Sequence, residues 1–256
     1  MSDADDGAPP VHCRAARRAT YRAIVNMSER LALGAKRVID VLGAAAALVL
    51  LLPLLGALAL ALLAVQGRPV LFRQLRPGRA GRPFHIVKFR TMRPPRDGEI
   101  GYLTDDARVT RIGRLLRERS LDELPELWNV LRGEMSLVGP RPLLMEYLDQ
   151  YTPEQRRRHD VAPGITGWAA VNGRHAIRFE DRMALDVWYV DHWSLWLDLR
   201  ILARTVVHVI RRTDVSAVEN VDLGFPLPRS AEPQRCTPVP AVRPQGPAGG
   251  SSAAGG

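Results

Sequence analysis

The stretch "VLGAAAALVLLLPLLGALALALLAV", residues 41–65, decides how the N-terminal part of this chain folds. It contains no charged side chain. About 20 consecutive apolar residues are enough for a helix to cross the hydrocarbon core of a bilayer. The stretch therefore predicts a helix that enters a membrane.

Two features of this stretch argue against a simple crossing. Pro53 stands in its middle, where a proline removes a backbone hydrogen bond and bends a helix. Basic residues flank both ends, and the positive-inside rule then places both flanks on the cytoplasmic side. We therefore predict a re-entrant helix broken at Leu52 and Pro53, with halves of about 12 residues, or roughly 18 Å. The alternatives are a crossing helix that tolerates its proline and a buried helix of a soluble domain.

Outward from this stretch, composition divides the chain into four segments. Residues 1–35 are predicted to be a polar N-terminal tail, and residues 36–67 form the membrane anchor. Residues 68–213 are expected to form one folded domain. Residues 214–256 are rich in Pro, Gly and Ser and are predicted to be disordered.

Charge and cysteine content limit the function classes. The net charge of +9 indicates an acidic partner such as nucleic acid, anionic lipid or a phosphorylated substrate. Only Lys36 and Lys88 are lysines among 36 basic residues, which suggests that arginine would not serve at these two positions. Cys13 and Cys236 lie in the predicted tails, so a reducing compartment fits. The sequence contains no zinc-type spacing, P-loop or dinucleotide fingerprint.

The folded domain is predicted to be α+β and mainly helical. Residues 69–75 and 83–89 read as strands of a short β-hairpin, because a turn-rich connector separates them. Helical periodicity begins near residue 109, and Ser120 is expected to end one helix and start the next. Further along, residues 143–160 predict a helix and residues 163–174 a loop. Residues 185–212 combine tryptophans, apolar residues and arginines at helical spacing, which predicts interfacial amphipathic helices or core helices.

The sequence S-L-D-E at residues 120–123 has two interpretations. In one, Ser120 and Glu123 form a capping box at a helix start. In the other, Asp122 and Glu123 are a functional carboxylate pair, and the helix dipole keeps Asp122 ionised. An ionised carboxylate can act as a nucleophile or bind a hard cation such as Mg²⁺. The two interpretations are compatible.

Cations near this acidic pair strengthen the functional interpretation. Lys88 and Arg90 alternate at the end of a predicted strand and should share one face. Arg141 lies between two prolines, which stiffen its backbone, and Gly139 permits a close backbone approach. Arg174 ends a glycine-rich loop. Together with a membrane anchor, these residues predict a site for a pyrophosphate, a divalent metal and a lipid-linked acceptor.

Four motifs in order resemble the bacterial sugar transferases, the monotopic phosphoglycosyl transferases that load a sugar phosphate onto polyprenyl phosphate. They are KFRTM (88–92), DELPELWNVLRGEMSLVGPRP (122–142), PGITGWAAVNGR (163–174) and LDVWYVDHWSLWLDLRIL (185–202). The resemblance covers residues 36–212. It implies an anchor that does not cross the bilayer and the compact form of the family, which lacks the extra membrane helices of larger relatives. It also implies initiation of a surface polysaccharide or glycoconjugate.

The same resemblance implies a ping-pong mechanism. Asp122 would attack the β-phosphate of a UDP-sugar, release UMP and carry an aspartyl phosphosugar until polyprenyl phosphate accepts it. Asp122 and Glu123 would hold Mg²⁺ or Mn²⁺. The family's basic positions, expected to contact phosphate, match Lys88, Arg90, Arg117, Arg141 and Arg174.

The resemblance leaves several points open. Asp186 and Asp198 match acidic motif positions and are expected to support the site. The chain departs from the family at Ala170, where a glutamine is usual, and this leaves the identity of the donor open. Leu52 stands where relatives often carry a small polar residue.

The resemblance also implies partners and a location. The expected partners are a UDP-sugar, polyprenyl phosphate and membrane lipid, with no nucleic acid. The expected location is the cytoplasmic face of the bacterial membrane, with both termini cytoplasmic. The alternatives are the same fold with another nucleotide-sugar donor and a membrane-anchored, non-catalytic adaptor. A nucleic-acid binder lacks support because aromatic residues are not interleaved with the basic ones.

Overall fold

The computed structural model describes residues 11–96, 105–172 and 178–211, and all of them belong to one compact unit. The described chain is mainly helical, as predicted, with two small two-stranded sheets. The helices are α1 (Val11–Gln66), α2 (Asp105–Arg108), α3 (Arg111–Glu118), α4 (Glu126–Arg132), α5 (Pro153–Arg156), α6 (Trp168–Val171), α7 (Phe179–Asp191) and α8 (Leu195–Arg211). The strands are β1 (Leu71–Pro77), β2 (Pro83–Phe89), β3 (Ser136–Val138) and β4 (Gly164–Thr166). Single 3₁₀ turns occupy Arg79–Gly81, Leu121–Glu123, Met145–Tyr147 and Arg157–His159.

Helix α1 is longer than the sequence predicts. It begins at Val11, so residues 11–35 of the predicted polar tail are helical. Residues 11–33 contain neither proline nor glycine, and alanine, arginine and leucine, which favour helix, are frequent among them. The helix also continues through Pro53, so the predicted interruption at Leu52 and Pro53 is not a change of secondary structure.

Arg90 closes the C-terminal end of α1. The backbone of Gly67 has a φ of 66°, a left-handed conformation that ends helices. The guanidinium of Arg90 donates hydrogen bonds to the carbonyls of Gln66, Gly67 and Arg68. These carbonyls lie where a helix leaves acceptors unsatisfied, and a cation is favoured there. Arg90 is therefore a capping residue of α1.

The apolar part of α1 has the properties of a membrane helix. The portion Arg30–Gln66 is long and apolar enough to cross a bilayer, and no other helix in the described ranges is. Its outer face exposes large aliphatic side chains, with Val49 and Leu50 at 76% and 79% exposure. A core helix of a soluble protein would bury such side chains.

The opposite side of α1 packs against the domain along both halves of the apolar stretch. Before Pro53, Ala44, Ala47 and Leu48 join a cluster with Phe84 and Val130. After Pro53, Leu62 joins a second cluster with Phe89 and Leu116, against which Leu55 and Leu58 also pack. Both halves therefore contact one and the same domain.

The predicted hairpin is confirmed. Strands β1 and β2 are antiparallel, with Leu71 opposite Phe89 and Pro77 opposite Pro83. On β2, Phe84 and Ile86 face the first cluster, and Lys88 continues the same strand face two residues later.

The prediction of a loop over residues 163–174 is wrong for residues 163–172, and residues 173 and 174 lie outside the described residues. Strand β4 pairs in parallel with β3, and α6 follows directly. The two strands come so close that a Cβ atom on Gly164 would lie 2.1 Å from the backbone nitrogen of Gly139. The close approach expected at Gly139 therefore exists, and the backbone of β4 makes it.

The prediction of one helix over residues 143–160 is also wrong. Short turns and the four-residue helix α5 occupy this segment. Pro153 prevents a continuous helix because it lacks an N–H donor, and it stands instead at the first position of α5. Thr152 and Gln155 form a capping box there.

The C-terminal segment contains two helices, α7 and α8. The Ser194 hydroxyl accepts a hydrogen bond from the Leu197 amide, which starts α8. Helix α8 buries Leu197 and Ile201 and exposes Trp196 at 74%. It is therefore amphipathic, and its position at a membrane interface stays a prediction. The predicted tail, residues 214–256, lies outside the described residues.

Candidate active site

Asp122 and Glu123 lie on a 3₁₀ turn between α3 and α4, and they do not belong to a capped helix. The backbone of Ser120 has a φ of 52°, and its side chain makes no capping hydrogen bond. Leu121 packs against the cluster that contains Leu62 and Phe89. The capping-box interpretation of Ser120 and Glu123 is wrong because the Glu123 carboxylate is bound by cations from elsewhere in the fold.

Two cations from distant segments bind Glu123. Lys88 Nζ lies 2.8 Å from Glu123 Oε1, and Arg141 Nη2 lies 2.5 Å from the same oxygen. A second guanidinium nitrogen of Arg141 donates to Oε2 over 3.4 Å. Although burial raises the pKa of Glu123, the charges of Arg141 and Lys88 lower it more, so the net pKa lies well below its usual range. Glu123 is therefore held as a carboxylate.

Lys88 binds a second carboxylate, which the sequence analysis missed. Its Nζ lies 3.1 Å from Oε1 of Glu126, a residue that is 2% exposed at the start of α4. Burial would lower the pKa of Lys88, but Glu123 and Glu126 raise it above its usual value. Lys88 therefore stays a cation in a confined position. The sequence does show Glu126 as a third acidic residue, three positions after Glu123, and this spacing could have identified it.

Glu126 differs from Glu123 in protonation. Burial, which Lys88 only partly offsets, and the neighbouring charge of Glu123 raise the pKa of Glu126 to about 7. Within the described part of the chain, the Lys88 ammonium is the one polar contact of its Oε1. The site thus contains one firmly ionised glutamate and one that gains a proton near neutral pH.

Asp122 is buried beside this ion cluster, at 8% exposure. Burial and the charge of Glu123 raise the pKa of Asp122, while Lys88, Arg117 and Arg141 act in the opposite direction. The helix-dipole argument for an ionised Asp122 does not apply, because the carboxyl lies on a single 3₁₀ turn. The net pKa of Asp122 lies above its usual value, mainly through burial, and the three cations limit this rise.

The remaining predicted phosphate contacts have different placements. Arg117 donates to the Thr91 hydroxyl over 2.9 Å and acts electrostatically on Asp122. Arg90 caps α1, and this role accounts for its contacts. Arg174 lies outside the described residues. The structure thus brings Lys88, Arg117 and Arg141 to the acidic pair.

Asp186 neutralises a buried arginine behind the site. The Arg158 side chain is 1% exposed and donates to Asp186 Oδ2 over 2.6 Å. It also donates to the carbonyl oxygen of Arg141 over 2.7 Å and to the Tyr151 hydroxyl over 3.2 Å. Burial lowers the pKa of Arg158, but Asp186 and Tyr151 raise it above its usual value, so Arg158 remains charged.

Asp198 forms an ion pair with Lys36, the other lysine of the chain. Lys36, on α1, donates to Asp198 Oδ2 over 2.6 Å and to the Val138 carbonyl over 3.0 Å. Tyr189 and Trp193 donate to the same carboxylate. Next to Lys36, Arg37 donates to two carbonyls at the end of α4. The basic residues at the N-terminal edge of the anchor therefore bind the domain.

The described residues contain no cluster of three or more His, Cys, Asp and Glu side chains suited to a metal. Asp122 and Glu123 fit a different kind of site. Mg²⁺ is commonly bound by one or two carboxylates while substrate phosphates and water complete its shell.

Comparison with known proteins identifies the group to which this arrangement belongs. The family model described as bacterial sugar transferase matches residues 31–212. The sugar transferase EpsL of Bacillus subtilis (strain 168), described as uncharacterized, is 56% identical over 155 residues, which are 60% of this chain and 77% of EpsL.

Other relatives are named by a reaction. The UDP-glucose:undecaprenyl-phosphate glucose-1-phosphate transferase of Caulobacter vibrioides is 47% identical over 181 residues, which are 67% of this chain and 68% of the relative. A protein of the same name from Escherichia coli (strain K12) is 40% identical over 181 residues. The match spans only 39% of the length of the E. coli protein.

The protonation of Glu126 predicts a pH-dependent effect of Glu126→Gln on stability. Below pH 4.5, the ordinary pKa, this carboxyl is protonated in both the folded and the unfolded chain. Between pH 4.5 and about pH 7, Glu126 keeps its proton in the folded chain and loses it in the unfolded chain. The stability of the wild-type protein therefore falls as pH rises through this range. Glu126→Gln should therefore gain on the order of 2 kcal/mol relative to wild type between pH 5 and pH 8.

Thermal unfolding of both proteins in detergent at several pH values measures this difference. Glu118→Gln, at an exposed position near the end of α3, is the matched control and should show a difference that does not vary with pH. A constant difference for Glu126→Gln as well would show that Glu126 is ionised throughout this range.

Proposed function

The chain belongs to the bacterial sugar transferase family, and we propose that it transfers a sugar 1-phosphate from a UDP-sugar to polyprenyl phosphate and releases UMP. The observation that carries the proposal is the buried Asp122 beside three cations, in a domain packed against an apolar helix. The cations suit a pyrophosphate. The apolar helix suits a lipid-linked acceptor. Relatives whose names state this reaction with UDP-glucose support the proposal.

In the proposed mechanism Asp122 is the nucleophile. One carboxylate oxygen attacks the β-phosphorus of the UDP-sugar, and the bond from this phosphorus to the oxygen bridging the two phosphates breaks. UMP leaves with that oxygen, and the sugar phosphate stays on Asp122 as an acyl phosphate. A phosphate oxygen of polyprenyl phosphate then attacks the same phosphorus and regenerates Asp122. Two displacements through a covalent intermediate are a usual way to divide a difficult transfer.

The cations have distinct tasks in this mechanism. Arg141 presents a planar fork of donors, which fits two phosphate oxygens, while Lys88 is a compact point charge. The side chain of Arg141 is 40% exposed, so its guanidinium can contact a ligand while it stays bound to Glu123. The side chain of Lys88 is only 19% exposed. Glu123 orients both cations before the donor arrives. Such pre-set charges stabilise a developing negative charge without reorganisation.

Mg²⁺ or Mn²⁺ is part of this proposal, with Asp122 and Glu123 as the protein ligands. The carboxylates are hard oxygen donors of the kind these ions prefer. A bound divalent ion would neutralise phosphate charge and favour departure of UMP. The chain's own contribution is to hold Glu123 ionised and Asp122 in place.

We further propose that α1 enters the cytoplasmic face of the membrane and returns to it, with both termini cytoplasmic. The packing of α1 supports this arrangement. Residues on either side of Pro53 contact the same domain, and Lys36 and Arg90 bind the two ends of the apolar stretch to it. A helix that crossed the bilayer fully would carry one of these ends away from the domain.

The identity of the sugar is open, and a panel of UDP-sugars with polyprenyl phosphate tests the proposal directly. Wild-type protein should release UMP and move radiolabel from the sugar into the lipid phase with at least one donor. A membrane-anchored adaptor without enzymatic activity would do neither. Donors other than UDP-sugars belong in the same panel.

The nucleophile assignment predicts that Asp122→Asn reduces UMP release by about 10³-fold or more, because an amide cannot form the acyl phosphate. Glu123→Gln should also lower activity severely, because Lys88 and Arg141 lose their shared anion. Circular dichroism and thermal unfolding should show that Asp122→Asn stays folded. Asp181→Asn, on an exposed carboxylate of α7, is the control and should be fully active. Near-normal UMP release by folded Asp122→Asn would exclude Asp122 as the nucleophile.

The confined position of Lys88 predicts that Lys88→Arg loses most activity although the charge is kept. A wider guanidinium between Glu123 and Glu126 must displace one of them, and a shift of about 1 Å at a reacting centre can cost roughly 10²-fold in rate. Measurement of kcat/KM for the UDP-sugar in wild type, Lys88→Arg and Lys88→Ala tests this. The reciprocal exchange Arg73→Lys, at an exposed position on β1, should be silent. Equal rates for Lys88→Arg and wild type would show that Lys88 supplies only a diffuse charge.

The proposed metal predicts that activity depends on a divalent ion. EDTA should stop UMP release, and excess Mg²⁺ or Mn²⁺ should restore it, since the acidic pair and the pyrophosphate would share the ion. Zinc or calcium added at the same concentration serves as the comparison. Full activity after exhaustive chelation would remove the metal from the mechanism.

A further inference from the structure

Arg141 is carried by a short segment, residues 138–141, that we call the Arg141 loop. The amide of Gly139 donates to the Thr166 carbonyl over 2.9 Å, and the Pro140 carbonyl accepts from the Gly164 amide over 3.0 Å. These bonds join the loop to β4. The carbonyls at the two ends of the loop accept hydrogen bonds from side chains. The Val138 carbonyl accepts from Lys36, Ser136 and Tyr189, and the Arg141 carbonyl accepts from Arg158.

Each of these two carbonyls accepts a hydrogen bond from a cation that is paired with an aspartate. At the N-terminal end, Lys36 binds the Val138 carbonyl and Asp198. At the C-terminal end, Arg158 binds the Arg141 carbonyl and Asp186. The loop is thus held at both ends by the same chemical device, built from four different elements.

We infer that Asp186 and Asp198 are positioning residues, which act through Arg158 and Lys36 to fix the backbone of the Arg141 loop and so place the Arg141 guanidinium in the site. This inference rests on the proposed function. Within the described residues, Asp186 accepts from Arg158, and Asp198 accepts from Lys36, Tyr189 and Trp193. These bonds account for both aspartates without a direct catalytic role.

The energetics of burial support a role beyond general stability. Arg158 is among the largest fully buried side chains, and a buried ion pair often stabilises a fold no better than apolar residues of similar volume. The Arg158–Asp186 pair supplies a charged donor that is directed at the Arg141 carbonyl. Hydrogen bonds from charged donors are about twice as strong as neutral ones, and a guanidinium is planar and therefore directional.

The Lys36 end of the device adds a connection to the membrane anchor. Lys36 belongs to α1 and precedes the apolar stretch, whereas the carbonyl that it binds is three residues before Arg141. The Lys36 ammonium therefore links the seating of α1 on the domain to the position of Arg141, and Asp40 of α1 adds a second link because it accepts from the Leu137 amide next to the loop.

A double-mutant comparison separates positioning from general stability. Replacing the pair by Arg158→Met with Asp186→Asn removes both charges without leaving either one unpaired. In wild-type background this replacement should lower kcat/KM by about 10- to 100-fold. In an Arg141→Ala background, where no guanidinium remains to be placed, the same replacement should change kcat/KM by less than about twofold. Equal losses in both backgrounds would overturn the inference and indicate a merely structural pair.

The chain offers a closely matched control. Arg157 and Asp191 form an ion pair at the surface, and Arg157 is the neighbour of Arg158 in sequence. Arg157→Met with Asp191→Asn makes the same chemical change and should leave kcat/KM unaltered in both backgrounds. If the buried replacement does not fold, Arg158→Lys tests the same point, because an ammonium keeps the charge but lacks the fork that serves Asp186 and the carbonyl together. Its loss of activity should also disappear in the Arg141→Ala background.

Hydrogen exchange makes the test independent of catalysis. Peptides covering residues 136–144 should exchange faster when either pair is replaced, by Arg158→Met with Asp186→Asn or by Lys36→Met with Asp198→Asn. The control pair should leave their exchange unchanged. Unchanged exchange together with unchanged kcat/KM would overturn the inference while leaving the proposed function intact. Wild-type protein that transfers sugar phosphate from no donor would overturn the proposed function, and exchange would still report whether the pairs hold the loop.

Discussion

The charged contact among Glu123, Lys88 and Arg141 is the interaction on which the site depends. It joins the turn after α3, strand β2 and the loop after β3, which are distant in sequence. A carboxylate that has lost much of its water is costly unless cations and hydrogen bonds compensate for that loss. The three segments are therefore held in a fixed relation. Asp122 precedes Glu123 in the chain and inherits its position from this contact, and Lys88 and Arg141 also act electrostatically on the Asp122 carboxyl.

The sequence predicted the components of the site better than their local roles. The apolar stretch, the hairpin and the predominance of helix follow from composition and periodicity, which act locally. The capping box at Ser120 failed because tertiary cations bind Glu123 more strongly than a backbone amide would. Arg90 turns to the end of α1 because β2 ends at Phe89, so strand alternation no longer sets its direction, and three carbonyls lie within its reach there; its contact with phosphate stays a prediction. The cations that bind Glu123 and the carbonyls that bind Arg90 are distant in sequence, so neighbouring residues do not reveal them.

The anchor shows a similar limit of sequence reasoning. The positive-inside rule treats basic residues near an apolar stretch as charges facing the cytoplasm, and this says nothing about their partners. Lys36 and Arg37 in fact bind a carboxylate and backbone carbonyls of the domain. These bonds fix where α1 leaves the domain surface, and the two apolar clusters fix how it lies along it. One side of α1 is consequently part of the packing of the domain, while its outer face stays exposed.

The two lysines connect these observations. In a chain with 34 arginines, composition alone would place arginine at nearly every basic position. Lys36 reaches an aspartate oxygen and a carbonyl within 3.0 Å, and Lys88 reaches two glutamate oxygens within 3.1 Å. In each case one nitrogen is shared between two acceptors that come from different elements. A single-atom cation can approach two such acceptors at once, whereas a planar guanidinium needs acceptors arranged along its edges. The geometry of the acceptors therefore selects lysine, at the joint between anchor and domain and again beside the acidic pair.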